Sequence, residues 1–168
     1  MPIQRLNHAV LYVRDVARSV DFYTEALGFR VVMAMPGQAA FLQAAGSTND
    51  HDLGLFAIGD RAGASTAGRS TVGLYHLAWE VDTLAELQRI RSVLTERGAL
   101  VGASDHGSTK ALYAKDPDGI EFEVSWLVPA ALLDPDQKIA TLPLHLEREI
   151  ERYGAETRGG VGVSVPSA

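Results

Sequence analysis

Two histidines and one glutamate have the residue types and spacing to hold a metal ion: His8, His76 and Glu123. His8 is third in the run LNHAVLYV (6–13) and His76 is third in LYHLAWEV (74–81), an offset of 68 residues from position 8 to position 76. Two neutral imidazoles and a carboxylate form a facial set that leaves about three positions open on an octahedral ion. Such a set suits Fe(II) working with O2 and a chelating substrate. The chain has no cysteine, which excludes disulfides, thiolate-ligated zinc, iron–sulfur clusters and a Cys nucleophile. Any metal must rest on imidazole and carboxylate. A lone strand histidine is more often a hydrogen-bonded core or surface residue than a ligand. The matched positions in two like runs, with the carboxylate, carry the metal reading. The same offset taken back from Glu123 lands on Leu55, which cannot bind metal, so the site is expected to have three protein ligands and not four.

The elements that must position these residues come twice. Residues 6–13 read as a strand, and Asp15 caps a helix over 16–27 that Gly28 ends. Strands follow at 29–34, 39–44 and 53–58, separated by Pro36-Gly37 and by the turn GSTND at 46–50. Residues 59–73 are rich in Gly and small polar residues and read as a mobile linker. A strand at 74–81 restarts the order. The capping box Thr83 to Glu86 opens a helix ending near Gly98, with Leu84, Leu87, Ile90, Val93 and Leu94 along one side. Strands at 100–101 and 110–115, the turn Asp116-Pro117-Asp118-Gly119 and a strand at 120–126 complete it.

In that last strand Ile120, Phe122, Val124 and Trp126 share the face expected beneath the helices, while Glu121, Glu123 and Ser125 share the other. Glu121 and Glu80 read as rim residues, and Phe22, Tyr23 and Phe29 as core or pocket wall. The fold is therefore expected to be α+β, with two βαβββ modules at 1–58 and 74–127, a linker at 59–73 and a tail at 128–168. A pseudo-twofold between the modules would aim both His strands at one point. The tail holds Pro129, Pro135 and Pro143, a helix over about 144–153, and a last dozen residues expected to fray.

The composition is that of an ordinary globular protein, with 168 residues, 46% hydrophobic and 21% charged, enough for one compact domain. A net charge of −6 without Lys/Arg runs excludes non-specific nucleic-acid or anionic-membrane binding as a function. No membrane-length apolar stretch and no charged-then-apolar leader at Met1 is present, so a cytoplasmic home is expected.

Residues 5–126 resemble the vicinal-oxygen-chelate superfamily, which holds glyoxalase I, epimerases, fosfomycin-resistance enzymes, bleomycin-binding proteins and extradiol ring-cleaving dioxygenases. FYTEALGF (22–29) resembles the family's first-helix end, and DPDG followed by Glu123 resembles its last ligand strand. These two are superfamily-level features. A narrower pattern runs from His106 through Leu112-Tyr113 and Asp116-Pro117-Asp118-Gly119 to Glu123. It resembles the extradiol dioxygenase signature and departs from it at Ser104. His51-Asp52-Leu53 resembles the segment that places those enzymes' second-sphere histidine. Well-known extradiol enzymes carry a second copy of the two-module unit. This chain has one, so it resembles the one-domain catechol 2,3-dioxygenase-like forms.

The resemblance implies a single vicinal-oxygen-chelate domain, with a cupped mixed sheet around the metal site. It implies one divalent metal, Fe(II) foremost, with Mn(II), Zn(II) and Ni(II) accepting the same ligands, and no organic cofactor. It implies a small catechol-like aromatic substrate bound through vicinal oxygens, cleaved with O2. His51 would be the acid–base residue beside the O2 site, His106 would hold a substrate hydroxyl, and Tyr113 would hydrogen-bond the substrate. Taken singly, each of the three has an ordinary reading: a solvated turn His, a loop His and a strand aromatic. Their joint fit to one spacing favours the catalytic one. His145 on the tail helix has no catalytic role in this reading.

Two rivals stand beside it. Another metalloenzyme on the scaffold, a glyoxalase-like lyase or isomerase or a fosfomycin-type thiol transferase, would keep the triad without using His51, His106 and Tyr113. A non-enzymatic antibiotic-binding protein would need no triad. The tail stripe Leu142, Leu146, Glu149, Ile150 and Tyr153 calls for a covering surface: a homodimer partner, a lid role over the cleft, or this chain's own sheet.

Changing His8, His76 or Glu123 to Ala is expected to remove most bound metal and leave the chain folded. Elemental analysis decides: full metal occupancy in His76→Ala overturns the ligand set.

Overall fold

Among the described residues, apolar residues spaced for strands and for one-sided helices fold into two mixed sheets, of four and five strands, with three helices. The computed structural model describes residues 2–3, 5–67, 70–134, 140–160 and 163–164. They divide into two units, Met1–Thr66 with Asp116–Gly119, and Ala67–Lys115 with Ile120–Ala168. Among the described residues no helix is long and apolar enough to cross a membrane.

The first unit runs β1 (Ala9–Val13), α1 (Val16–Leu27), β2 (Arg30–Met35), β3 (Ala39–Gln43) and β4 (Leu53–Ala57), with sheet order β1-β4-β3-β2. The Asp15 side chain accepts from the Arg18 N–H at the start of α1, and Gly28 ends the helix in the left-handed conformation at φ 72°. α1 buries Val16, Phe22, Tyr23 and Ala26 against a sheet face that includes Leu42, Leu53 and Leu55. The Asp116–Gly119 turn belongs to this unit. Tyr23 Oη donates to Asp116 Oδ2 at 3.2 Å, and Arg14 and Arg18 pair with Asp118 at 2.9 and 2.7 Å. Arg14 also donates to the Ala62 carbonyl, which pins the linker there.

The second unit runs β5 (Leu77–Glu80), α2 (Leu84–Glu96), β6 (Leu100–Asp105), β7 (Thr109–Lys115), β8 (Glu121–Leu127), a 3-10 turn (Ala130–Leu132), β9 (Leu142–Pro143) and α3 (Leu146–Tyr153), with sheet order β5-β8-β7-β6-β9. The Thr83 hydroxyl accepts from the Glu86 N–H, and α2 buries Leu84, Leu87, Ile90 and Leu94. Beneath lie Leu112 and Ala114 of β7 and Phe122 and Val124 of β8, all buried; Phe122, Val124 and the buried Trp126 belong to the predicted inward face of β8.

The duplication is visible in pairing. In each unit the first strand runs parallel to the last, and the second strand carries a bulge at the matched place, Val31/Met33 and Leu100/Gly102. α1 has 12 residues and α2 has 13. The offset therefore becomes 69 after the helix, as position 53 opposite Ala9 and position 122 opposite Leu77 show. The counterpart of Glu123 is thus Gly54, not Leu55. Glycine has no donor either, so the first half still offers no carboxylate there.

Several boundaries differ from the sequence reading. β1 and β5 begin three residues later than expected, so His8 and His76 stand just ahead of their strands. The cause is the partner: β4 begins at Leu53 and β8 at Glu121, and no ladder exists upstream of them. β6 extends to Asp105, because Lys110 to Ala114 of β7 pair with it despite its weak β-formers. The linker at 59–73 has no regular element among its described residues apart from an isolated bridge at Thr71; residues 68 and 69 lie outside the described residues.

The tail packs on its own unit. β9 extends the sheet beyond β6, and α3 packs on α2. Leu146 is fully buried, Tyr153 lies 5.5 Å from the Trp126 ring, and Lys110, itself 1% exposed, pairs with Asp105 and Glu149. Of the stripe, Leu146 and Tyr153 meet this chain's own surface, while Leu142 is exposed. The last dozen residues, expected to fray, are instead packed from 157 to 160. The Trp126 indole donates to the Thr157 carbonyl, and Gly159 and Gly160 are buried. Residues 161–162 and 165–168 lie outside the described residues.

A Cβ on Gly159 would sit 2.0 Å from the Leu127 carbonyl and 2.6 Å from the indole nitrogen. Gly159→Ala is expected to lose about 1–3 kcal/mol of stability in urea unfolding, or more if the backbone cannot shift. Gly46→Ala, which meets nothing within 4 Å, serves as control. Equal midpoints for the two would show that the tail is not docked as described.

Candidate metal and catalytic site

The second unit gathers four of the six predicted site residues. His76, just ahead of β5, places Nε2 3.3 Å from Oε2 of Glu123 on β8. Two donors bound to one ion at about 2.1 Å, roughly 90–110° apart, are about 3.0–3.4 Å from each other, so this pair is spaced as neighbouring ligands would be. Both are partly buried, and the donor set, imidazole with carboxylate, fits a divalent ion. His76 is held by packing. Its ring lies 4.7 Å from Tyr75 and 5.9 Å from Tyr113, and its Nδ1 is buried without a hydrogen-bond partner.

Tyr113 on β7 is directly opposite Glu123 in the ladder. Its hydroxyl lies 2.9 Å from His106 Nε2. Burial first, and the Glu123 charge second, push the Tyr113 phenol up to about 12, so it stays protonated throughout the neutral range. His106 Nδ1 lies 2.9 Å from the Ala140 carbonyl. A carbonyl only accepts, so Nδ1 carries a proton. With Nδ1 so occupied, Nε2 accepts from the Tyr113 hydroxyl, so Tyr113 and His106 form one hydrogen-bonded pair beside Glu123.

His8 and His51 belong to the first unit. His8 is exposed ahead of β1, and its Nδ1 is 2.6 Å from Asn7 Oδ1. Its ring lies 4.4 Å from that of His51, tilted by 32°. His51 is partly buried, with its ring against Phe41 at 5.1 Å and Nδ1 3.3 Å from Asp50. The loop at 44–52 is closed by Asp52, whose carboxylate accepts from Ala44 N, Ser47 Oγ and Asn49 Nδ2 at 2.7–2.8 Å. Asn49 Nδ2 also donates to the Asn7 carbonyl. Among the described residues no group of three or more His, Asp and Glu side chains forms a set able to hold a metal ion. The pairing seen is His76 with Glu123.

Equivalent rows across the two sheets carry opposite chemistry. In the second unit the row is Gly102, Tyr113, Glu123 and Ala78. In the first it is Met33, Phe41, Gly54 and Val10. Val10, Phe41 and Phe56 close over Gly54, at 3.4–3.7 Å from where its Cβ would be. Three contributors escaped the sequence reading. Asn7 was signalled only by its place beside His8, Asp52 only by its place beside His51. The Ala140 carbonyl, 34 residues from His106, gave no local signal at all.

Residues 5–124 match the model of the Glyoxalase/Bleomycin resistance protein/Dioxygenase superfamily. The chain is 29% identical over 158 residues to a catechol-2,3-dioxygenase of Bacillus subtilis (strain 168), an alignment covering 91% of this chain and 53% of that protein. The chain thus spans about half the length of that relative. It is 30% identical over 127 residues to a lactoylglutathione lyase of Escherichia coli O157:H7, covering 71% of this chain and 90% of the lyase. A solved glyoxylase/bleomycin resistance protein/dioxygenase domain from Frankia sp. EAN1pec superposes with a TM-score of 0.62 at 23% identity, over 74% of this chain and 92% of that one. This last likeness speaks for the fold alone.

Asp52→Ala removes the acceptor of three hydrogen bonds that close the loop carrying His51. Hydrogen exchange over 44–52 is expected to rise sharply while exchange in α2 stays unchanged, with a loss of about 1–3 kcal/mol. Unchanged exchange in that loop would show that Asp52 does not hold it.

Proposed function

Because this chain belongs to the Glyoxalase/Bleomycin resistance protein/Dioxygenase superfamily, we propose that it is a metal-dependent extradiol-type dioxygenase that cleaves a catechol-like ring with O2. The observation that supports this most is the hydrogen bond between Tyr113 and His106, with Tyr113 directly opposite Glu123 in the ladder. A lyase, isomerase or thiol transferase built on the same ligands has no use for it. In this reading His8, His76 and Glu123 hold one divalent ion, Fe(II) foremost, with the chain acting as a cytoplasmic homodimer. When bound, that ion supplies Lewis acidity toward the two substrate hydroxyls and a template for O2.

The chain's own residues do the rest. Tyr113, held protonated, donates a hydrogen bond to a substrate oxygen. His106, fixed by the Ala140 carbonyl at Nδ1, holds the Tyr113 hydroxyl in place through Nε2. His51 is the acid–base group, since an imidazole gives and takes protons near neutral pH. The apolar row of Val10, Met33 and Phe41 around Gly54 supplies a wall for an aromatic ring and keeps water from it. That half has Gly54 in place of a carboxylate and an apolar row around it, which suits an aromatic substrate better than a small polar one.

The test is anaerobic loading with Fe(II), then catechol, then air. A yellow ring-opened product is expected. An inert complex would favour the lyase, transferase or antibiotic-binding readings. His51→Phe and Tyr113→Phe should keep the metal and lose about 10²–10⁴-fold in turnover. If both turn over a verified catechol at the parent rate, their assigned roles are wrong.

A further inference from the structure

An imidazole binds a metal through the lone pair of one ring nitrogen, and the partner of the other nitrogen decides which one is free. His8 has such a partner in Asn7, whose Oδ1 lies 2.6 Å from Nδ1. We propose that Asn7 is the positioning residue that makes His8 a metal ligand, fixing it as the Nδ1–H tautomer with Nε2 free. This rests on the reading of His8 as a ligand.

Three features support the assignment. First, Asn7 is anchored. Its carbonyl accepts from Asn49 Nδ2 at 2.7 Å, and the same nitrogen donates to Asp52 Oδ1 at 2.7 Å. On the other side of His8, the Ala9 N–H donates to the Asp52 carbonyl at 2.9 Å. The residues flanking His8 are thus tied to one loop, and the amide of Asn7 is presented from a fixed backbone. Second, the plane of the His8 ring is limited by His51, 4.4 Å away. The Asn7 bond then selects between the two orientations, related by a flip of the ring, that an imidazole in this tilted contact can take. Third, the two halves solve the same problem differently. Tyr75 takes the place of Asn7 at the offset of 68, from position 7 to position 75. It gives His76 a ring contact instead of an acceptor, and His76 Nδ1 has no hydrogen-bond partner. His76 has packing and Glu123 to hold it. His8 is exposed and needs a polar partner.

The test is Co(II) affinity of the metal-stripped full chain, read from the visible absorption of the ion in competition with a chelator. Asn7→Leu is expected to weaken binding about 10–100-fold with an unchanged melting temperature. Asn7→Asp, whose carboxylate only accepts, is expected to stay close to the parent. Parent affinity in Asn7→Leu overturns the proposal, as does an equal loss in Asn7→Asp. His8→Ala separates the two layers. If it keeps parent affinity, the ligand reading itself fails; if it loses metal while Asn7→Leu does not, only the positioning role fails. Nitrogen-15 NMR of the parent imidazoles needs no variant. A predominantly Nε2–H tautomer for His8 in the metal-free protein would also overturn it.

Discussion

In each unit the first strand hydrogen-bonds in parallel to the last, Ala9 opposite Leu53 and Leu77 opposite Phe122. A parallel pair cannot be closed by a tight turn; it needs a long crossover, which here is a helix and two further strands. That pairing brings the residue just ahead of the first strand to the start of the last one, dozens of residues away. His8 thereby meets the loop of His51 and Asp52, and His76 meets Glu123. The helix caps at Asp15 and Thr83 serve the same end, since they fix where each crossover begins.

Once duplicated, the two units diverged along one row of the sheet. Where the second places Tyr113 and Glu123, the first places Phe41 and Gly54. The polar row carries an electrostatic cost. Glu123 is a partly buried carboxylate 3.3 Å from the His76 imidazole and directly opposite Tyr113 in the ladder. In the proposed function a divalent ion between His76 and Glu123 would offset the cost of burying that charge.

The tail contributes to stability and to the site at once. Trp126 ends the inward face of β8, and Tyr153, Thr157 and Gly159 complete its surroundings. Lys110 is tolerated in the interior because Asp105 and Glu149 meet its charge there. On the sheet edge, β9 holds the segment whose Ala140 carbonyl meets His106. A change in the tail is thus felt at Tyr113 through two hydrogen bonds.

The sequence alone determined the element order, both helix caps, the inward face of β8 and the duplication itself, because these depend on local residue patterns of period two or 3.6. It singled out His8, His76 and Glu123 by type and spacing, and a family resemblance added His51, His106 and Tyr113. It could not decide where strands begin, since a strand exists only where a partner ladder does; hence His8 and His76 lie outside their strands. It could not see that α2 is one residue longer than α1, which moves the counterpart of Glu123 from Leu55 to Gly54. Nor could it find Asn49, Asp52 or Ala140 as supports. Hydrogen bonds that close a loop or cross 34 residues leave no periodic trace, and only tertiary pairing brings those atoms together.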